Sequence, residues 1–159
     1  ALVTKLISKK MQVVSSLDNM IIESDGDVAM FDISSGPYPK FPTDLQPIAT
    51  AVMCLGKGRC IIEENVFENR FSYIGELRKM GANISIQDKM AIIEGVSGLK
   101  GSPVYATDLR AGAALIIAGI AASGTTEIFN ISHIDRGYEN IEEKFRALGA
   151  NIRRVEYTE

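Results

Sequence analysis

Three arginines and two aspartates carry the chemistry this sequence offers. Arg70, Arg110 and Arg136 each fall in or just before the first turn of a predicted helix. A cation there opposes the positive end of the helix dipole, at a cost of about 0.3–1 kcal/mol each. A carboxylate or phosphate in the same place is favoured by both the guanidinium and the free amides. Three such placements point to a pocket for an anionic ligand. The plain alternative is that each arginine pairs with a nearby acid, Glu68, Asp108 or Asp135, but pairing alone does not explain why they recur at matching positions. Asp108 reads as a helix cap. Asp44 has a cap reading too, yet the rigid Pro39-Lys40-Phe41-Pro42 lead-in fixes where it points, and Gln46 takes the place that Arg110 has beside Asp108. A carboxylate held that way suits a general base acting on a hydroxyl. His133, the single histidine, has no second histidine or cysteine cluster, so a structural hydrogen bond is expected of it and no metal. Cys54 and Cys60 lack a neighbouring histidine and read as buried, reduced thiols.

The elements that position these groups are written twice. Phe41-Pro42-Thr43-Asp44-Leu45, Gly58, Phe67-Glu68-Asn69-Arg70 and Gly81-Ala82-Asn83-Ile84 return as Ala106-Thr107-Asp108-Leu109-Arg110, Gly124, Asp135-Arg136-Gly137-Tyr138 and Gly149-Ala150-Asn151-Ile152. The spacing grows from 64 at Asp44/Asp108 to 66 at Gly58/Gly124 and Arg70/Arg136, and to 68 at Gly81/Gly149. Two short insertions account for the drift, so one supersecondary unit is repeated. In the first copy, Thr43 or Asp44 caps a helix to about Leu55, with Pro47 tolerated in its first turn. Arg59–Glu63 reads as a strand, and Val66–Asn69 leads to a helix with Phe71, Ile74, Leu77 and Met80 on one face. Gly81 ends that helix in the left-handed conformation. Extended segments follow at Ala82–Ile86, Met90–Glu94 and Pro103–Tyr105. In the second copy the corresponding face carries Tyr138, Ile141, Phe145 and Leu148 before Gly149.

Each unit therefore reads βαβαββ, giving an α/β fold. From Ala111 to Ala122 the first helix of the second copy has no charged residue, and Leu45–Leu55 is nearly as dry. A helix apolar all round must be buried all round, which implies helices packed inside and sheets outside. Residues 1–36 resemble the tail of a third, truncated unit: the last turns of a helix over 1–10, then short strands at Met11–Val14, Met20–Glu23 and Val28–Ile33. Gly36–Pro42, with three prolines, excludes regular structure. The expected division is 1–36, 37–105 and 106–159, and the chain reads as a piece of something longer.

Bulk properties exclude several classes. The 159 residues, 46% hydrophobic and 23% charged, describe an ordinary globular chain with a real core. A net charge of −3 and no basic block argue against nucleic acid or an anionic membrane as the main partner. The run Ala111–Ala122 is shorter than the roughly 20 residues a bilayer needs. No signal-like pattern opens the chain, so a cytoplasmic location is expected.

Four motifs carry a resemblance. Phe41-Pro42-Thr43-Asp44-Leu45-Gln46, Val66-Phe67-Glu68-Asn69-Arg70-Phe71, Ala106-Thr107-Asp108-Leu109-Arg110-Ala111 and His133-Ile134-Asp135-Arg136-Gly137-Tyr138-Glu139 are similar, in order and spacing, to those of the UDP-N-acetylglucosamine 1-carboxyvinyltransferase family. The likeness covers about residues 39–155; over 1–36 only the strand pattern agrees. It implies a two-domain enzyme of six βαβαββ units in the inside-out α/β barrel arrangement, of which this chain would be two units and part of a third. It implies transfer of the enolpyruvyl group of phosphoenolpyruvate to the sugar 3-hydroxyl of UDP-N-acetylglucosamine, with release of phosphate, as the first committed step of peptidoglycan synthesis. By position, Asp44 would meet the sugar hydroxyl as base or proton shuttle, and the backbone of Val66 would hold the sugar nucleotide. Arg136 would bind phosphoenolpyruvate, and Arg70 and Arg110 would line the cleft. No cofactor is implied. The family's cysteine proton donor and N-terminal lysine fall outside this stretch, and neither Cys54 nor Cys60 stands at the donor's position. The chain alone is therefore expected to be inactive and prone to self-association. The other readings are the related shikimate-pathway transferase and a non-catalytic repeat domain that binds an anion or another protein.

Overall fold

The computed structural model describes residues 12–16, 18–23, 26–28 and 30–156, and the helix expected over 1–10 lies outside them. Its body is two successive strand–helix–strand crossovers. In the first, β3 (Ile33–Ser34) passes through a turn of 3-10 helix at Thr43–Leu45 into α1 (Gln46–Met53) and returns as β4 (Arg59–Glu63). β4 lies parallel to β3, with Ile33 opposite Ile62. A second 3-10 turn, Arg70–Tyr73, opens α2 (Ile74–Lys79), and β5 (Asn83–Gln87) and β6 (Met90–Glu94) complete a sheet of order β3-β4-β6-β5.

In the second crossover, β7 (Pro103–Tyr105) feeds α3 (Leu109–Ala121), which returns as the parallel strand β8 (Glu127–Phe129). α4 (Ser132–Asp135) and α5 (Ile141–Ala147) follow, and among the described residues no strand comes after them. Upstream, β1 (Gln12–Ser15) and β2 (Met20–Glu23) form a separate antiparallel hairpin. The strand expected at Val28–Ile33 is reduced to Ile33–Ser34, because only these residues reach the edge of β4.

Helices pack against helices, and the sheet lies over them. α1 and α3 meet in the middle of one core that joins Ala51 and Met53 to Ala111, Ala114, Leu115 and Ala118. β4 turns Cys60 and Ile62 into this core and leaves Arg59 in solvent, the period-two pattern of a strand with one dry face. The small side chains of Ala111, Ala114 and Ala118 let α3 pack against α1 in this core. At Gly112 an added Cβ would stand 2.4 Å from Ile134 Cγ1, so the missing side chain is what lets α4 dock. All-round burial holds only for Ala111–Ile116 and Ala118; Ile120 and Ala121 are exposed. α3 has 13 residues and α1 has 8, so the last turn of α3 projects past its partner.

The repeat is visible in backbone angles. Gly58 and Gly124 have φ of 106° and 87°, and Gly81 and Gly149 have φ of 93° and 94°, so each left-handed terminator recurs. Burial is less symmetric. Met80 is fully buried, but its counterpart Leu148 is 83% exposed, because Met80 is covered by chain returning at Leu99–Lys100 and nothing described covers Leu148. No helix among the described residues is long and apolar enough to cross a membrane.

Candidate anion site at Asp44, Arg70 and Arg110

The 3-10 turn at Thr43–Leu45 lifts Asp44 away from the helix it precedes. Neither Pro42 nor Leu45, at the two helix starts, supplies a capping side chain, and the expected Thr43 or Asp44 cap is not formed. Both side chains are engaged elsewhere. Thr43 Oγ1 donates to Glu64 Oε2 at 3.0 Å, and Asp44 accepts from two arginines far away in sequence. Arg70 Nη2 reaches Asp44 Oδ1 at 2.7 Å and Arg110 Nη2 reaches Oδ2 at 2.8 Å. Asp44 is 53% exposed, whereas the Arg70 side chain is 13% exposed and Arg110 30%. The result is a solvent-facing carboxylate seated on two half-sunken guanidiniums. The Arg110 hydrogen bond, with charge from both arginines, holds its carboxyl below the ordinary value of 3.8, so Asp44 is ionised at neutral pH.

Each arginine is itself supported. Arg70 Nη2 also donates to the Thr43 carbonyl at 3.3 Å, and its guanidinium lies 5.2 Å from the Phe67 ring centre. Arg110 Nη1 donates to the Tyr138 hydroxyl at 2.9 Å. Beneath them, Tyr73 Oη donates to Thr50 Oγ1 at 2.8 Å and accepts from Gln46 Nε2 at 3.0 Å, all three fully buried. Gln46 is thus a core residue, not a surface counterpart of Arg110. Among the described residues, buried Gln46 Oε1 and Arg70 Nε have no hydrogen-bond partner.

Glu64, which the sequence did not mark, organises the neighbouring loop. It is 3% exposed, and its Oε1 accepts from the amides of Val66 at 2.8 Å and Phe67 at 3.2 Å. A shallow groove of about 450 Å³ runs along Val66–Arg70 and reaches Asp108. Val66 therefore borders the groove with its amide engaged by Glu64. The available signal was an acid placed two and three residues before amides that open a turn.

The arginine pairings with Glu68, Asp108 and Asp135 are not the ones formed. Asp108 caps α3 instead, accepting from the amides of Arg110 and Ala111. Asp135 is bound by Arg154. Arg136 closes α4 and does not open a helix, so the dipole argument holds for Arg110 on a 13-residue helix and fails for Arg136. No hydrogen bond of the His133 ring is found among the described residues. Cys54 and Cys60 are buried and free; burial pushes the first thiol up to about 12 and the second to about 11, so neither is poised to react.

Residues 3–145 match the profile of a family described as EPSP synthase (3-phosphoshikimate 1-carboxyvinyltransferase). The chain is 48% identical over 155 residues to a UDP-N-acetylglucosamine 1-carboxyvinyltransferase of Clostridium botulinum, covering 98% of this chain and 37% of that protein. It is 46% identical to the protein of the same name from Desulfofundulus thermocisternus, covering 99% of this chain and 65% of the relative. Among solved structures, the enolpyruvyl transferase NikO from Streptomyces tendae superposes with a TM-score of 0.86 at 28% identity, over 96% of this chain and 35% of that one. An EPSP synthase from Acinetobacter baumannii, at 13% identity and a TM-score of 0.57, shares the fold.

Proposed function

The chain belongs to the EPSP synthase family, and on that premise we propose that it forms one wall of an enolpyruvyl transferase cleft that takes UDP-N-acetylglucosamine and phosphoenolpyruvate. Its matched relatives are longer, so the second wall is proposed to come from the remainder of the polypeptide. A cytoplasmic location is part of the proposal, since both proposed substrates are polyanions that do not cross a bilayer unaided. The carrying observation is Asp44 held between Arg70 and Arg110 at 2.7 and 2.8 Å beside the Val66–Arg70 groove.

Two polyanions repel each other, and arginines that offset this repulsion let orientation lower the barrier. In the proposed reaction the sugar 3-hydroxyl oxygen bonds to C2 of phosphoenolpyruvate. The hydroxyl proton passes to Asp44, and a proton added at C3 completes a tetrahedral intermediate. Loss of phosphate from C2 and of a proton from C3 then gives the enolpyruvyl ether. Within its double ion pair Asp44 is a weak base. Incoming phosphate and carboxylate groups compete for Arg70 and Arg110, and as those contacts lengthen the basicity of Asp44 rises. Arg136 is assigned to phosphoenolpyruvate, and the backbone at Val66 to the sugar nucleotide. Cys54 and Cys60 are buried in the core, and the resemblance assigns C3 protonation to a cysteine outside this stretch.

A thermal-shift screen of the full-length protein tests this reading. UDP-N-acetylglucosamine should raise the melting temperature and phosphoenolpyruvate should raise it further when added with the sugar nucleotide. A shift with shikimate 3-phosphate in its place would assign the site to the shikimate-type substrate. No shift with any of the three would leave a non-catalytic module.

A further inference from the structure

Arg136 is exposed and makes no side-chain hydrogen bond or ion pair among the described residues. The acid beside it is occupied. Arg154 donates from Nη2 to Asp135 Oδ1 at 2.7 Å and from Nη1 to Oδ2 at 3.0 Å, a two-pronged contact. The same guanidinium donates from Nε to Glu142 Oε1 at 2.9 Å. Asp135 ends α4 and Glu142 lies in the first turn of α5, so one side chain joins both ends of the connection that carries Arg136 and Tyr138. The inner side of that connection is fixed separately. Gly137 sits so close to Leu109 that an added Cβ would fall 2.9 Å from Leu109 Cδ2, and the Tyr138 hydroxyl accepts from Arg110.

We infer that Arg154 is a positioning residue for the anion site: it braces the Arg136–Tyr138 connection from outside and neutralises Asp135, keeping Arg136 available to the phosphate or carboxylate of a substrate. The inference rests on the assignment of Arg136 to phosphoenolpyruvate given above. Isolated exposed ion pairs contribute little, but a forked arginine shared by two carboxylates is the geometry in which such contacts matter. Without it, an uncompensated carboxylate stands one residue from the cation that must attract an anion. Lysine cannot replace the fork, since a single ammonium does not span both acids with paired bonds.

Steady-state kinetics of the full-length protein decide the matter. Arg154→Gln should raise KM for phosphoenolpyruvate about tenfold, with kcat and the sugar-nucleotide KM within about twofold of wild type, and Arg154→Lys should fall between. Adding Asp135→Asn to Arg154→Gln should recover most of the loss, a rescue that a merely structural arginine would not give. Asp135→Asn alone should leave KM for phosphoenolpyruvate unchanged or lower, which keeps the test open if Arg154→Gln does not fold. An unchanged KM in Arg154→Gln, equal rises for both substrates, or a double variant no better than the single one overturns the inference while the proposed function stands. A wild-type protein that neither binds phosphoenolpyruvate nor releases phosphate overturns both.

Discussion

Asp44 shows how a single residue's role depends on partners the local sequence does not name. Its two arginines lie 26 and 66 residues away, while a nearby-acid reading offered Glu68 and Asp108. What was legible was that Asp44 and its counterpart Asp108 are not equivalent; what they touch was not. The same holds for Glu64, whose burial and triple role as acceptor follow from packing over β4 and the Thr43 turn. Asp44→Asn should lower turnover of the full-length protein by about 10²–10⁴ if it accepts the hydroxyl proton. At half exposure, the stability cost should stay within about 1 kcal/mol. The sign with pH follows from its lowered folded pKa. The carboxylate's stabilising contribution is complete well above the unfolded value of 3.8 and fades as pH falls through the still lower folded value. Melting curves of wild type and Asp44→Asn should therefore converge on acidification below about pH 4. Curves that stay parallel to low pH would show that the ion pairs of Asp44 do not stabilise the fold, and a large loss of stability with normal turnover would remove Asp44 from the chemistry.

At the scale of elements, local pattern was a good guide where a strand or terminator depends on its own residues. Arg59–Glu63, Met90–Glu94 and Pro103–Tyr105 stand where alternation and turn residues put them. The left-handed glycines also fall where the repeat requires them. It was a poor guide where an end depends on a neighbour. The α1 cap is missing because the 3-10 turn takes up Thr43 and Asp44 and leaves Leu45 at the helix start, and the apolar face of α5 loses Leu148 for want of a covering strand among the described residues. The docking of α4 on α3 allows a sharper test. Gly112→Ala forces a methyl into Ile134, which is 2% exposed and has nowhere to turn, so it should destabilise by about 1–2 kcal/mol after the gain in helix propensity. Gly75→Ala, in α2 with open space around it, should be neutral or stabilising. Denaturant midpoints give the comparison, and equal values for the two variants would show that α4 is not held through this contact.

At the scale of the whole molecule, the chain spans about 37% of the length of the curated relative from Clostridium botulinum that it matches. Helices inside and sheets outside were readable from two dry helices, because composition all round a helix reports what surrounds it. The tail of that pattern, Ile120 at 42% and Leu148 at 83% exposure, marks apolar surface without a partner among the described residues. The purified chain should therefore fold, self-associate as concentration rises in sedimentation experiments, and release no phosphate from the two substrates; a monodisperse, active chain would mean that the cleft is already complete. The full-length protein provides the deciding measurement. Phosphate release should be followed with phosphoenolpyruvate and either UDP-N-acetylglucosamine or shikimate 3-phosphate as acceptor. Sustained release with the sugar nucleotide alone is the predicted result; release with shikimate 3-phosphate, or with neither, would contradict it.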